Sequence, residues 1–141
     1  MSLFIKPEKA DKIEQTIGYE FKDRKLLTNA FSHSSFVNEK HLSKSDCNER
    51  MEFLGDAVLE LATSEFLFNR HKDMQEGELT KLRARLVCEQ ALAYSAREIG
   101  LSDYLLLGHG EAITGGRNRD SILSDALEAL IGAIYLDGGL T

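Results

Sequence analysis

Apolar residues return every three or four positions along most of this chain, and almost nowhere at every second position. That spacing predicts helices. Ile13 and Ile17 share a face of a first helix over 8–17, which Gly18 ends. Leu26, Leu27, Ala30 and Phe31 line a second helix over 23–35, with Asp23 as its N-cap. Residues 38–47 are polar and read as a loop. Asp46, with Glu49 three positions on, resembles a capping box opening a long helix that reaches Asn69 or Arg70. Residues 76–100 hold one or two more helices, stopped by Gly100. Residues 108–121 carry four glycines and mixed charge, and read as a loop. A last helix covers 121–139 and ends at Gly138-Gly139. The expected fold class is all-α. The single proline is Pro7 and no Ser/Gly-rich linker interrupts the 141 residues, so one domain over 1–141 is expected.

Two of these helices break the hydrophobic pattern in the same way. In "NERMEFLGDAVLELATSEFLF" (48–68), Glu49, Glu52 and Asp56 fall within a wedge of about 60° at 100° per residue. In "DALEALIGAIYL" (125–136), Asp125 and Glu128 lie at i, i+3 on a helix that is otherwise apolar almost all round. Such helices are expected to be buried. Carboxylates are almost never buried unless paired, and 125–136 holds no lysine or arginine. The economical solution is that the two acidic stripes face each other and share a divalent cation. All-oxygen ligation suits a hard ion, Mg²⁺ or Mn²⁺. The chemistry such a site supports is metal-assisted phosphodiester hydrolysis. The rival for Glu49 alone is a solvated acid favoured by the helix macrodipole.

Net charge is −6, which by itself argues against a nucleic-acid partner. Bound cations would reverse that field locally. The basic residues cluster in "KLRARL", with Lys81, Arg83 and Arg85. These, with Arg117 and Arg119 in the glycine loop, are candidates for holding nucleic-acid backbone, and a solvated surface is the competing reading. Cys47 and Cys88 have no metal-ligand or redox spacing and read as free thiols in a reducing, cytoplasmic setting, Cys88 being buried. The charged N-terminus does not read as a secretory signal, and no apolar run is long enough to span a bilayer.

"ERMEFLGDAVL" (49–59) resembles the ribonuclease III signature, with Met51 in place of the usual Leu. "LTNAFSHSSFVNE" (27–39), "EGELTKLRARLV" (76–87) and "GGRNRDSILSDALEALIGAIYLDGG" (115–139) are similar to further blocks of that family, in the right order. The resemblance implies a dimeric, all-helical endoribonuclease for double-stranded RNA, dependent on Mg²⁺ or Mn²⁺. It leaves 5′-phosphate and 3′-hydroxyl ends and serves rRNA or mRNA processing. It implies Glu52, Asp56, Asp125 and Glu128 as metal ligands, with Asp56 and Glu128 least replaceable. Glu49 and Glu76 match further acids of the cleft, or shape the cleft or the dimer. Phe53 falls where the family places an aromatic entering a socket on the partner subunit; a core phenylalanine would look the same locally.

Two departures accompany the match. Ser34 stands where the family commonly has Arg. The chain ends at "DGGLT", before the last nuclease helix and the double-stranded RNA-binding domain that the family normally carries. His33 and His109 read as structural. A carboxylate-bridged di-iron bundle would want Glu-x-x-His pairs, and none of His33, His41, His71 and His109 follows a glutamate at that spacing. A non-catalytic scaffold that binds double-stranded RNA is the other alternative.

Overall fold

A computed structural model describes residues 4–139. Among them the ordered elements are eight α-helices and three short 3-10 turns, and the one β-bridge, Ser32 with Leu106, is isolated. The all-α expectation holds. Among the described residues no helix is long and apolar enough to cross a membrane.

The helix α1 (Pro7–Ile17) starts on a proline that needs no N–H there, and stops at Gly18, whose φ of 74° is left-handed. Ala10 and Ile13 face inward beside Glu14. That buried acid accepts hydrogen bonds from the Phe21 N–H at 2.8 Å and from Arg24 at 2.7 Å, which is what makes its burial tolerable. Asp23 caps α2 (Arg24–Phe31) as expected, accepting from the Lys25 N–H.

The helix expected over 23–35 breaks after Phe31. There the backbone pairs with a distant segment: Leu106 N–H donates to Phe31 O at 2.9 Å, and His33 N–H donates to Leu106 O at 3.0 Å. The Ser32 hydroxyl bonds back to Thr28 O, a known competitor of helix continuation. A new helix, α3 (Ser34–Glu39), then begins at the end of the expected helix and runs into the expected loop, capped by the His33 ring.

The capping box also differs from expectation. Asp46 belongs to the 3-10 turn Lys44–Asp46, where it accepts from the Ser43 N–H. The long helix α4 (Glu49–Arg70) is entered at Asn48 instead. Asn48 donates its side chain to Ala30 O and its N–H to Ser32 O, tying the start of α4 to the end of α2. After α4 come α5 (Glu76–Leu86) and α6 (Glu89–Glu98), so 76–100 holds two helices. The glycine-rich stretch is less loop than expected: it contains α7 (His109–Ile113) and the turn Gly116–Asn118. Cys47 is the buried thiol, and Cys88 is only half-buried, because it caps α6 at the bend after α5.

The last helix, α8 (Asp120–Gly138), is the axis of the molecule. It packs on α4, α6 and α2, and Leu123, Ala126, Ala129 and Ala133 are fully buried on it. Its far end is held by Asp137, which accepts from the Tyr19 hydroxyl and from the N–H groups of Lys22 and Asp23. The α4–α8 crossing is made by glycine. A Cβ on Gly55 would lie 1.6 Å from Glu128 O, and one on Gly132 would lie 2.5 Å from Met51 O. The two backbones touch.

The expectation that both acid-bearing helices are buried holds for α8 and fails for α4. On α4 only Met51, Gly55 and Leu67 are buried. Phe53 is 82% exposed, Phe68 72%, Phe66 56% and Leu61 54%. One flank of α4 meets α8, and these apolar residues lie uncovered on the rest of it.

Gly55→Ala is expected to cost about 3 kcal/mol or more, because backbone rather than a yielding side chain opposes the new methyl. Gly77→Ala, in an α5 position with nothing within 4 Å, should be neutral or stabilising by up to about 1 kcal/mol. Chemical denaturation of the two variants measures the contrast.

Candidate metal centre

The glycine crossing places the acids. With Gly55 seated on the Glu128 carbonyl, Glu52 one turn before it and Asp56 next to it lie beside the first half of α8. Oxygen atoms of Glu52, Asp125 and Glu128 lie within 4.8 Å of one another, all three residues half-buried. Asp56, more exposed, joins them through a carboxyl–carboxyl hydrogen bond with Glu128. Glu49 stands further out and acts on Glu52 and Asp125 through its charge.

The electrostatics are those of a cluster lacking its counter-charge. Burial, then Asp125, pushes Glu52 up to about 7. Burial, then the Asp56 contact, pushes Glu128 up to about 8. Asp125 is raised by burial, against a hydrogen bond from Glu52 and the charge of His33, which both lower it. Like charges at this spacing cannot all ionise unaided. Among the described residues, the salt bridges lie elsewhere: Arg24 with Asp11 and Glu14, Lys40 with Glu39, Arg97 with Asp120, and Arg119 with Glu111. A hard divalent cation fits what is present: several carboxylate oxygens, close together, half in solvent, held protonated for want of positive charge.

The family model for ribonuclease-III-like proteins matches residues 23–141. The chain belongs to that family. Ribonuclease 3 of Caldanaerobacter subterraneus is 56% identical over 128 residues, covering 91% of this chain and 56% of that protein. Ribonuclease 3 of Staphylococcus aureus is 54% identical over 124 residues, covering 88% and 51%. The chain thus spans about half the length of the curated relatives it matches. The nuclease domain of ribonuclease III from Campylobacter jejuni superposes with a TM-score of 0.85 at 49% identity, covering 92% of this chain and 87% of that one. That structure is described as flexible in a region involved in dimer formation. Dicer from Pichia stipitis matches more loosely, with a TM-score of 0.61 at 28% identity over 84% of this chain and 48% of that one.

The remaining residues indicated by this ribonuclease III resemblance are spread over the surface. Glu76 opens α5 and is exposed. It lines a groove of about 350 Å³ with Ser64, Phe68 and Arg83, away from the acid cluster of its own chain. Phe53 is no core residue at 82% exposure. It borders a groove of about 630 Å³ with Arg50, Met51, Leu54 and Leu136.

The basic candidates divide by what they already hold. Arg117 donates to Ser102 O and Leu105 O. Arg119 binds Glu111 and Thr114 O. Arg119 thus braces its own loop, and Arg117 ties that loop to the preceding turn at 101–105. Arg83 donates to the Ser64 hydroxyl at 2.8 Å, while Lys81 and Arg85 are exposed. Ser34 forms the half-buried first turn of α3. His109 is exposed, with its N–H on Glu39. His33, read from sequence as structural, does cap α3 but also acts on Asp125. The "SHSS" segment was the only signal, and nothing in its spacing points across to residue 125.

Because the folded Glu52 and Glu128 bind protons at a pH where unfolded carboxylates near 4.5 have lost them, their effect on stability has a definite sign. The stabilisation is full below the unfolded value and is lost as pH rises through about 7 to 8. In chelator, the thermal midpoint should therefore fall between pH 5 and pH 9. Glu128→Gln should flatten that slope, and Mg²⁺ should oppose it at the alkaline end. A series of melting curves checks all three.

Proposed function

We propose that the chain is the nuclease domain of a divalent-metal-dependent endoribonuclease that hydrolyses double-stranded RNA. The observation that carries the proposal is the convergence of Glu52, Asp125 and Glu128 within 4.8 Å, with Asp56 bonded to Glu128. Family membership supports the reaction class. In this reading Glu52, Asp56, Asp125 and Glu128 hold Mg²⁺, which Mn²⁺ replaces. The bound ion supplies Lewis acidity at the scissile phosphate and lowers the pKa of water at neutral pH.

The chain's own part follows from its charge. Glu52 and Glu128 release their protons when the site fills, and then ligate as carboxylates. Rigid attachment to two touching helices keeps the ligands at fixed separation, so that little reorganisation is needed at reaction. Hydrolysis leaves a 5′-phosphate and a 3′-hydroxyl. Recognition rests on A-form shape, phosphates and 2′-hydroxyls rather than sequence. Lys81 and Arg85 are the outward-facing cations available for backbone contact.

The working unit in this proposal is a homodimer. Phe53 stands out of α4 beside an apolar groove lined by Met51, Leu54 and Leu136. A two-fold pairing would seat each Phe53 in the other chain's groove, the self-complementary arrangement that closes a dimer. Glu76 then reaches a cleft only through assembly, since within one chain it lies off the acid cluster. Roles in rRNA or mRNA processing and a cytoplasmic setting complete the reading. A non-catalytic RNA-binding scaffold is the alternative, and incubating labelled duplex RNA with and without Mg²⁺ separates the two.

Glu128→Gln should reduce cleavage by at least about a hundred-fold, since even outer-shell partners of a metal are worth 10–100-fold. It should leave dimerisation intact and duplex binding in Ca²⁺ largely unchanged. Cleavage at the wild-type rate would remove Glu128 from the ligand set. Phe53→Ala should weaken the dimer by about 2 kcal/mol, roughly thirty-fold in dissociation constant. An unchanged sedimentation profile would end the socket role.

A further inference from the structure

Two cations on α1 and one on the glycine-rich segment meet at a cavity that the proposed function leaves unused. Lys9 and Lys12 lie at i, i+3 on α1, on neighbouring positions of the helix surface. The same cavity is lined by Asp103 and Tyr104, from the turn Leu101–Tyr104, and by Arg117, from the turn Gly116–Asn118. Its volume is about 390 Å³, at the small end of the range of about 300–1,000 Å³ that ligand sites occupy. None of the five residues belongs to the acid cluster. On a chain of net charge −6, three cations against one carboxylate make a local field of the opposite sign.

Tyr104 separates this cavity from a solvated patch of lysines. Its ring is only 6% exposed and stacks on Phe31, with centroids 5.8 Å apart. Buried tyrosine hydroxyls ordinarily find a partner. This one has none among the described residues. No wholly buried side-chain oxygen lacks a partner there either, so the hydroxyl is open, and it opens on the cavity that Tyr104 lines. Burial, then the charge of Asp103, raises the Tyr104 pKa, which keeps the phenol a donor at neutral pH.

The cations are anchored yet keep donors in reserve. Lys9 Nζ gives one hydrogen bond to Asp103 O at 2.9 Å, and an ammonium has two more to give. Arg117 uses Nη1 on Ser102 O at 3.0 Å and Leu105 O at 2.8 Å. That fixes the planar guanidinium and leaves its Nε and Nη2 hydrogens without partners among the described residues. Lys12 takes part in none of the salt bridges among those residues.

We propose that this cavity binds a terminal phosphate group, free or at the end of a nucleotide, through Lys9, Lys12, Arg117 and the Tyr104 hydroxyl. Charge-assisted hydrogen bonds from a guanidinium and from ammonium groups are the strong ones for phosphate. A terminal phosphate offers three unbridged oxygens and a diester two, so donors converging from three segments of the fold suit the former. The Asp103 carboxylate opposes part of the field and holds the site to modest affinity. The cavity is independent of the metal centre, and either can fail without the other.

The test is a titration of the isotope-labelled chain followed by its backbone amide NMR signals, in chelator and at constant ionic strength. Inorganic phosphate, uridine 5′-monophosphate and the diester uridylyl-uridine with a free 5′-hydroxyl form separate arms, with chloride as the blank. Inorganic phosphate should shift the amides of Lys12, Tyr104 and Arg117 saturably. Tighter binding of uridine 5′-monophosphate assigns the site to nucleotide ends, and equal or weaker binding assigns it to the free ion; both support the site. Tyr104→Phe should melt like the wild type in chloride, because the lost hydroxyl has no protein partner, and bind phosphate about ten-fold more weakly. Lys12→Gln should weaken binding about three-fold. Wild-type affinity in Tyr104→Phe, no saturable shift at those amides, or the same shift in chloride overturns the proposal. So does a Tyr104→Phe chain that melts well below the wild type, since the hydroxyl would then have a structural partner. Diester binding as tight as that of the terminal phosphates overturns the choice of ligand.

Discussion

The contact between Gly55 on α4 and the backbone of α8 at Glu128 and Gly132 is the constraint on which the rest depends. Helices with side chains between them stand 8–10 Å apart. Here a methyl at either glycine would run into backbone, so the axes come closer and their rotation about that point is restricted. Everything one turn away is then placed without further choice. Glu52 and Asp56 flank Gly55 on one strip of α4, and Asp125 and Glu128 occupy the matching strip of α8. Asn48 at the start of α4 and Asp137 at the end of α8 hold the two helices from their opposite ends.

That packing is paid for in electrostatic strain. Four carboxylates are pressed together in a half-buried setting, and Glu52 and Glu128 respond by keeping protons near neutral pH. Stability alone would favour apolar replacements on this strip, as it often does for buried ionic groups. A divalent cation, in the proposed function, would relieve that strain, so that affinity for a hard ion and instability without one would be two consequences of a single arrangement.

The two faces of α4 divide the molecule's business. The face turned to α8 carries the acids. The outward faces carry Phe53, Leu61, Phe66 and Phe68, uncovered over more than half of each. Large apolar side chains left exposed in such number on one helix are what a partner surface would cover. In the proposed dimer, the helix that builds the metal site also builds the assembly, so the spacing of two cleavage centres would follow from how α4 meets its copy.

The sequence by itself determined the longer helices, their approximate limits and the acids that break their hydrophobic faces, while the short α3 and α7 were read as parts of a helix and of loops. Period and composition are local properties, and the pairs Glu52/Asp56 and Asp125/Glu128 are legible within single helices. The family blocks were legible in the same way, as order and spacing along the chain. What only the tertiary structure decided were the contacts between distant segments. Leu106 interrupts the helix after Phe31, and Ala30 and Ser32 capture Asn48, so Asp46 caps a turn rather than α4. The exposure of α4's apolar stripe was also invisible, because a hydrophobic helix reads alike whether its cover comes from its own chain or from elsewhere. Arg117 and Arg119 read as free cations in the sequence, whereas Arg117 holds the carbonyls of Ser102 and Leu105 and Arg119 holds Glu111 and the Thr114 carbonyl. Leu106 comes to Phe31 across 75 residues, a distance over which no periodicity carries information and only packing does.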